Sequence, residues 1–158
     1  MQKDRNLGLS VGTQLMGLAR LNGRNLEDWQ VKNFEGKWSK IKLKIILQAI
    51  ERYMVEFSVT HVYLKVPEAC RSSVAIEELT KGIMRLCEDK RVPVTTYTIV
   101  ELKRFCNAGN KAELMDYVLR LYPELTHVFK QSRKVKRVYY VKIFEAVAST
   151  QVNRGSSK

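Results

Sequence analysis

The stretch Leu7-Gly8-Leu9-Ser10-Val11-Gly12-Thr13-Gln14-Leu15-Met16-Gly17-Leu18-Ala19-Arg20-Leu21 sets two short apolar runs, residues 7–11 and 17–21, on either side of a glycine-containing turn. That pattern predicts a hairpin of two antiparallel strands. Gly12, beside the end of the first run, permits either a positive φ or a close backbone approach. Next, Asn22-Gly23-Arg24-Asn25 is a turn signal, and Trp29-Gln30-Val31-Lys32-Asn33-Phe34 alternates apolar with polar residues like a third strand with one wet face.

Beyond the strands the period changes. Leu43, Ile46, Leu47, Ile50, Met54 and Phe57 recur at three and four, which predicts a helix over residues 38–57, with Lys37, Lys40, Lys44 and Arg52 on its wet side. The short apolar run His61-Val62-Tyr63-Leu64-Lys65-Val66, ended by Pro67, reads as a buried parallel strand. A helix capped by Ser72 or Ser73 should follow, with Ile76, Leu79, Ile83, Leu86 and Cys87 as its apolar stripe and Glu77 and Glu78 at the positive end of its dipole. Residues 92–97 form another brief strand, and Thr98 with Glu101 has the spacing of a capping box for a short helix through Cys106. Asn110 with Glu113 restarts a helix that Pro123 stops. Val138-Tyr139-Tyr140-Val141 favours a strand by propensity, whereas the spacing of Val135, Val138, Val141 and Ala148 favours a helix to Thr150. The order β-β-β-α-β-α-β-α-α-α is that of an α/β mixed sheet, three antiparallel strands then parallel ones, with helices on its faces.

The length of 158 residues suits one domain, residues 1–152, with the polar residues 153–158 as a disordered tail. The balance of 28 Lys+Arg against 16 Asp+Glu, a net charge of +12, favours a polyanionic partner. Cys70, Cys87 and Cys106 are widely spaced, which argues against a disulfide framework or a zinc site and for small hydrophobes in a reducing compartment. The charged first residues and the lack of any long apolar stretch predict a cytoplasmic protein with no membrane partner.

The opening hairpin resembles that of the RNase H-like nuclease superfamily, and particularly the RuvC-like Holliday-junction resolvases, whose first strand runs Gly-apolar-Asp-x-Gly before a Thr-Gly turn. The similarity extends over about residues 6–150. Its second clear part is Pro93-Val94-Thr95-Thr96-Tyr97-Thr98 through Glu101-Leu102-Lys103-Arg104-Phe105-Cys106-Asn107-Ala108-Gly109-Asn110-Lys111, similar to a resolvase strand, basic helix, turn and helix-opening lysine. The resemblance implies an RNase H-like fold, a homodimer, DNA as partner, and contact with its backbone through Lys103, Arg104 and Lys111. To these the sequence adds the basic segment Lys130, Arg133, Lys134, Lys136 and Arg137.

Family chemistry needs carboxylates from the first strand, the fourth strand and the last helix to hold two Mg²⁺. Here the first position is Ser10 and the fourth-strand position is Lys65. The last helix, Asp-x-x-Asp-Ala in the resolvases, reads Lys142-Ile143-Phe144-Glu145-Ala146, so only Glu145 keeps its acid. Three readings follow. The foremost is a nucleic-acid-binding pseudo-nuclease with no confident catalytic residue and no metal or other cofactor, in which lysines stand in for the lost metals. Within it, the altered positions are either a phosphate-attracting groove or a surface that has drifted to a Lys65–Glu145 ion pair. The second is a Mg²⁺-dependent structure-specific endonuclease with relocated ligands, Glu68 joining Glu145. The third is a protein-interaction scaffold that keeps the fold for its surface. His61 and His127 stand in no motif, and Tyr139, Tyr140 and Phe144 read as packing or as base-stacking groups.

Overall fold

Backbone pairing joins five strands into one mixed sheet of order β3-β2-β1-β4-β5. A computed structural model describes residues 4–134 and 137–152, with the side chains of residues 133–138 outside that description. The strands are β1 (Arg5–Ser10), β2 (Leu15–Asn22), β3 (Asn25–Asn33), β4 (His61–Lys65) and β5 (Val94–Tyr97). The first three pair antiparallel, and β4 lies parallel to both β1 and β5. The expected hairpin is therefore present, with Leu9 opposite Leu18 and Ser10 opposite Gly17. The third strand starts earlier than its alternation suggested, because Gly23 takes the positive φ of 62° that a tight turn requires and lets Asn25 pair back to Asn22 at once.

The two-residue period of β1 divides the core. Leu7 and Leu9 face one side with Met16, Leu18, Val62 and Leu64, where α1 (Lys40–Glu56) and α2 (Val74–Asp89) supply Ile46, Ile50, Met54, Leu79 and Ile83. Ser39 caps α1 by accepting from the Lys42 N–H, and Ser73, the second of the two candidates, caps α2 by accepting from Ile76. Asn6, Gly8 and Ser10 alternate to the other side, which is covered by α3 (Ile99–Phe105), α4 (Lys111–Leu121), α5 (Thr126–Lys134) and α6 (Arg137–Ser149).

The last segment is helical, as the resemblance implies, and not the strand that local propensity alone favours. Val141, Ile143, Phe144, Ala146, Val147 and Ala148 are all buried, and a helix enclosed nearly all round hides every one of them where a strand would hide alternate residues. A helix was expected from the basic segment at Lys130 to Thr150. Helical structure begins earlier, at Thr126, because a short 3-10 turn at Pro123–Leu125 leads straight into α5, with Leu125 fully buried. Residues 135–136, between α5 and α6, lie outside the described residues. Glycine lets α6 approach the sheet. A Cβ on Gly8 would run into the Ala146 carbonyl oxygen, and one on Gly17 would meet that of Lys142. The tail at residues 153–158 lies outside the described residues.

Candidate functional site

Ser10 and Lys65 are the last residues of β1 and β4 and pair in register, so their side chains leave the sheet together at its carboxyl edge. Above them runs α6, held close by Gly8 and Gly17, and it lowers Glu145 into the gap. Ser10 Oγ donates to Glu145 Oε1 at 2.9 Å, and both groups are buried. Lys65 Nζ lies 3.5 Å from Glu145 Oε2. The anticipated Lys65–Glu145 pair therefore exists, but not on the surface: the side chains are 11% and 2% exposed.

A third residue joins them. Lys111 Nζ is also 3.5 Å from Glu145 Oε2, and its side chain is 48% exposed. Local sequence explains how it arrives there. The capping box of Thr98 and Glu101 starts α3. Asn107, at φ 53°, ends it, with the Ala108 N–H donating back to the Lys103 carbonyl at 2.8 Å. The chain reverses over two residues, and Asn110 caps α4 by accepting from the Glu113 N–H at 2.9 Å. Lys111 is thus the first residue of α4, where a cation meets the positive end of the helix dipole. Its placement is offset by Glu145.

Lys142 stands one turn before Glu145 on α6. A Cβ on Gly12 would sit 3.0 Å from its Nζ, so of the two uses open to that glycine the close approach is the one realised. Burial pushes the Lys142 ammonium below the ordinary lysine range, Glu145 draws it back up, and Lys65 and Lys111 push it down again. Four side chains from β4, α4 and α6 thus form one electrostatic unit, with three ammonium groups to one carboxylate.

The other candidates are dispersed. Lys103 and Arg104 occupy the last turn of α3, favourable for cations at the negative end of the dipole. Arg104 and Lys130 are exposed. Arg133, Lys134, Lys136 and Arg137 have side chains outside the described residues. Glu68 follows β4 and leads into a 3-10 turn at Ala69–Arg71 without capping it. Phe144 is fully buried with its ring 6.3 Å from that of Phe129, which is packing and not a base platform. The part of Lys111 in the Glu145 cluster was not read from sequence. A lysine directly after an asparagine cap, against the dipole, was the available signal.

No family model and no curated protein matches the sequence. Solved structures match in shape. The structure described as "T. thermophilus RuvC in complex with Holliday junction substrate" superposes with a TM-score of 0.75 at 14% identity, over 98% of this chain and 94% of that one. A second Thermus thermophilus RuvC structure gives 0.73 at 14% identity, over 97% and 95%. This chain has the RuvC-like RNase H fold.

The resemblance implies a pair of magnesium ions at the carboxyl edge of this fold, and the residues present do not fit them. Mg²⁺ takes hard, anionic oxygen donors. The positions concerned offer one hydroxyl, one carboxylate already shared between two ammonium groups, and a third ammonium. Unit charges about 4 Å apart interact by about 4 kcal/mol at an effective dielectric near 20, and a dication doubles this. Three ammonium groups against one carboxylate then leave a net repulsion for a dication placed among them. Among the described residues, no three His, Cys, Asp or Glu side chains gather as a metal site elsewhere, and no helix is long and apolar enough to cross a membrane.

Proposed function

We propose that this chain is a nucleic-acid-binding module on the RuvC-like fold that holds duplex or branched DNA through basic side chains and does not cut it by the two-metal route. One observation carries the reading: Lys65 and Lys111 both approach Glu145 Oε2 at 3.5 Å at the edge where the resemblance places metal-binding carboxylates. The same edge that would attract a dication in a carboxylate-bearing relative here attracts an anion. Support comes from the net charge of +12 and from the Holliday junction bound by the similar Thermus protein. Unpaired Cys70, Cys87 and Cys106, the latter two with thiols that burial pushes up to about 11, suit a reducing cytoplasm. A homodimer completes the reading, with Ile41, Ile45 and Val55 of α1 exposed for such a contact.

Fluorescence anisotropy with a four-way junction, a DNA duplex and an RNA duplex tests it. Each phosphate neutralised on a duplex contributes about −0.9 to the slope of log K against log salt, so a slope steeper than about −3 is expected. Mg²⁺ or Mn²⁺ should give no rise in Tm beyond that of matched monovalent salt. Cleavage of the junction together with a metal-specific rise would overturn the proposal in favour of an enzyme using Glu68 and Glu145. Flat salt dependence with weak binding would favour the scaffold.

A further inference from the structure

Three ammonium groups reach the Glu145 cluster from three elements, and a single carboxylate does not satisfy them. Each ammonium has three donors. Glu145 Oε1 is engaged by Ser10, and Oε2, though buried, makes no hydrogen bond among the described residues. Its two lysine contacts are long at 3.5 Å. Lys142 is held partly buried beside Gly12 without an ion pair of its own among the described residues. Lys65 and Lys142 are held largely out of water, and cations so held without full partners do not stabilise a fold, so their convergence with the half-exposed Lys111 points to an anion. The location suits one: the site lies off the carboxyl ends of two parallel strands, half-open through Lys111, and at the amino end of the 11-residue helix α4, whose dipole adds to the positive field.

We infer that Lys65, Lys111 and Lys142 form a binding site for one phosphate group that needs no divalent metal. A phosphate presents several acceptor oxygens to donors that now share one carboxylate oxygen. Its negative charge opposes the mutual repulsion of the lysines and favours the protonated form of Lys142. For the source of that phosphate the inference rests on the proposed function, a backbone phosphodiester of the bound nucleic acid. The same chemistry admits free phosphate, which the test separates.

Thermal unfolding is measured in inorganic phosphate against chloride at equal ionic strength, and duplex binding by anisotropy in EDTA. The proteins are the full chain, Lys142→Gln, the double variant Lys65→Gln/Lys142→Gln, and the exposed control Lys37→Gln/Lys40→Gln, each verified as folded by circular dichroism. Phosphate should raise the Tm of the full chain and the control by about 2–4 °C and leave both site variants unmoved. The double variant should lose about tenfold in duplex affinity and the control less than about threefold. Lys142→Gln removes no ion pair to Glu145 and decides the matter alone if the double variant does not fold. A phosphate response without duplex binding keeps the inference, assigns the site to free phosphate and rejects the nucleic-acid reading. Weaker duplex binding confined to the site variants, with no response to free phosphate, assigns it to the backbone. Duplex binding in which site variants match the control, with no phosphate response, overturns the inference and leaves the nucleic-acid reading standing.

Discussion

Among the described residues, Lys142 is a charged side chain that the folded protein accommodates poorly. Burial is the largest influence on it and lowers its proton affinity; Glu145 opposes that, while Lys65 and Lys111 reinforce it. In the unfolded chain the group regains the ordinary value of 10.5. Between the lowered folded value and 10.5 the unfolded state binds more protons, so stability rises with pH through that window. Below the folded value the penalty is present in full. Lys142→Met keeps the length of the side chain and removes its charge, and Glu145 retains Lys65 and Lys111. The variant should be more stable at neutral pH by on the order of 1 kcal/mol, or about 2–4 °C in Tm, with the gain shrinking toward zero as pH approaches 10.5. Urea unfolding at neutral pH and near the upper end of the window measures it. A loss of stability that does not vary with pH would mean that Lys142 is held by its packing and not burdened by its charge. Gained stability together with the lost phosphate response of Lys142→Gln would mark a charge kept for binding and not for folding.

At the scale of elements, the reach of Glu145 depends on how closely α6 lies on the sheet, and two glycines control that distance. A Cβ on Gly17 would stand 2.8 Å from the Lys142 Cβ besides meeting the Lys142 carbonyl, so Gly17→Ala must lift the helix or bend β2. Overpacking of this kind costs about 3 kcal/mol. It should also withdraw Glu145 from Ser10, so a drop in Tm together with weaker nucleic-acid binding in the surviving folded fraction is expected. An unchanged Tm would show that the contact is loose. The elements legible in the sequence are those whose signals are local. Ser73, the Thr98–Glu101 box and Asn110 with Glu113 each declare a helix start within four residues, and all three are found. The convergence of Ser10, Lys65 and Glu145 was legible only through resemblance, because nothing local ties β1 to α6. The Lys111 contact was not legible, and the inward course of Lys142 beside Glu145 was legible only through the resemblance. They depend on where the amino end of α4 lands and on a glycine in the opposite hairpin, which no spacing encodes. The early start of α5 at Thr126 escaped for a related reason: its apolar stripe is short, and its start is marked by a 3-10 turn instead of a cap.

Across the whole molecule, the frame that brings four positions together is independent of the chemistry placed on them. The register of β1 with β4 fixes Ser10 beside Lys65, and the glycine-lined seat of α6 fixes residues 142 and 145 above them. Both rest on apolar packing, with Leu7, Leu9 and Leu64 on one side of the sheet and Phe144 and Val147 on the other. Changing the polar groups at the edge should therefore reverse the sign of the site without changing the fold. Ser10→Asp, Lys65→Glu and Lys142→Asp together would set four carboxylates at one edge with only Lys111 to oppose them. Without metal their mutual repulsion should lower the Tm below that of the parent. Millimolar Mg²⁺ or Mn²⁺ should then recover it, since a ligand at about 100 times its dissociation constant adds about 2.7 kcal/mol, several degrees for a chain of this size. The parent should show no such recovery, and phosphate should no longer raise the Tm of the variant. A folded triple variant that ignores divalent metal would mean that the four positions do not converge closely enough to share an ion, and the account of the parent site as a charge-reversed metal centre would fall with it.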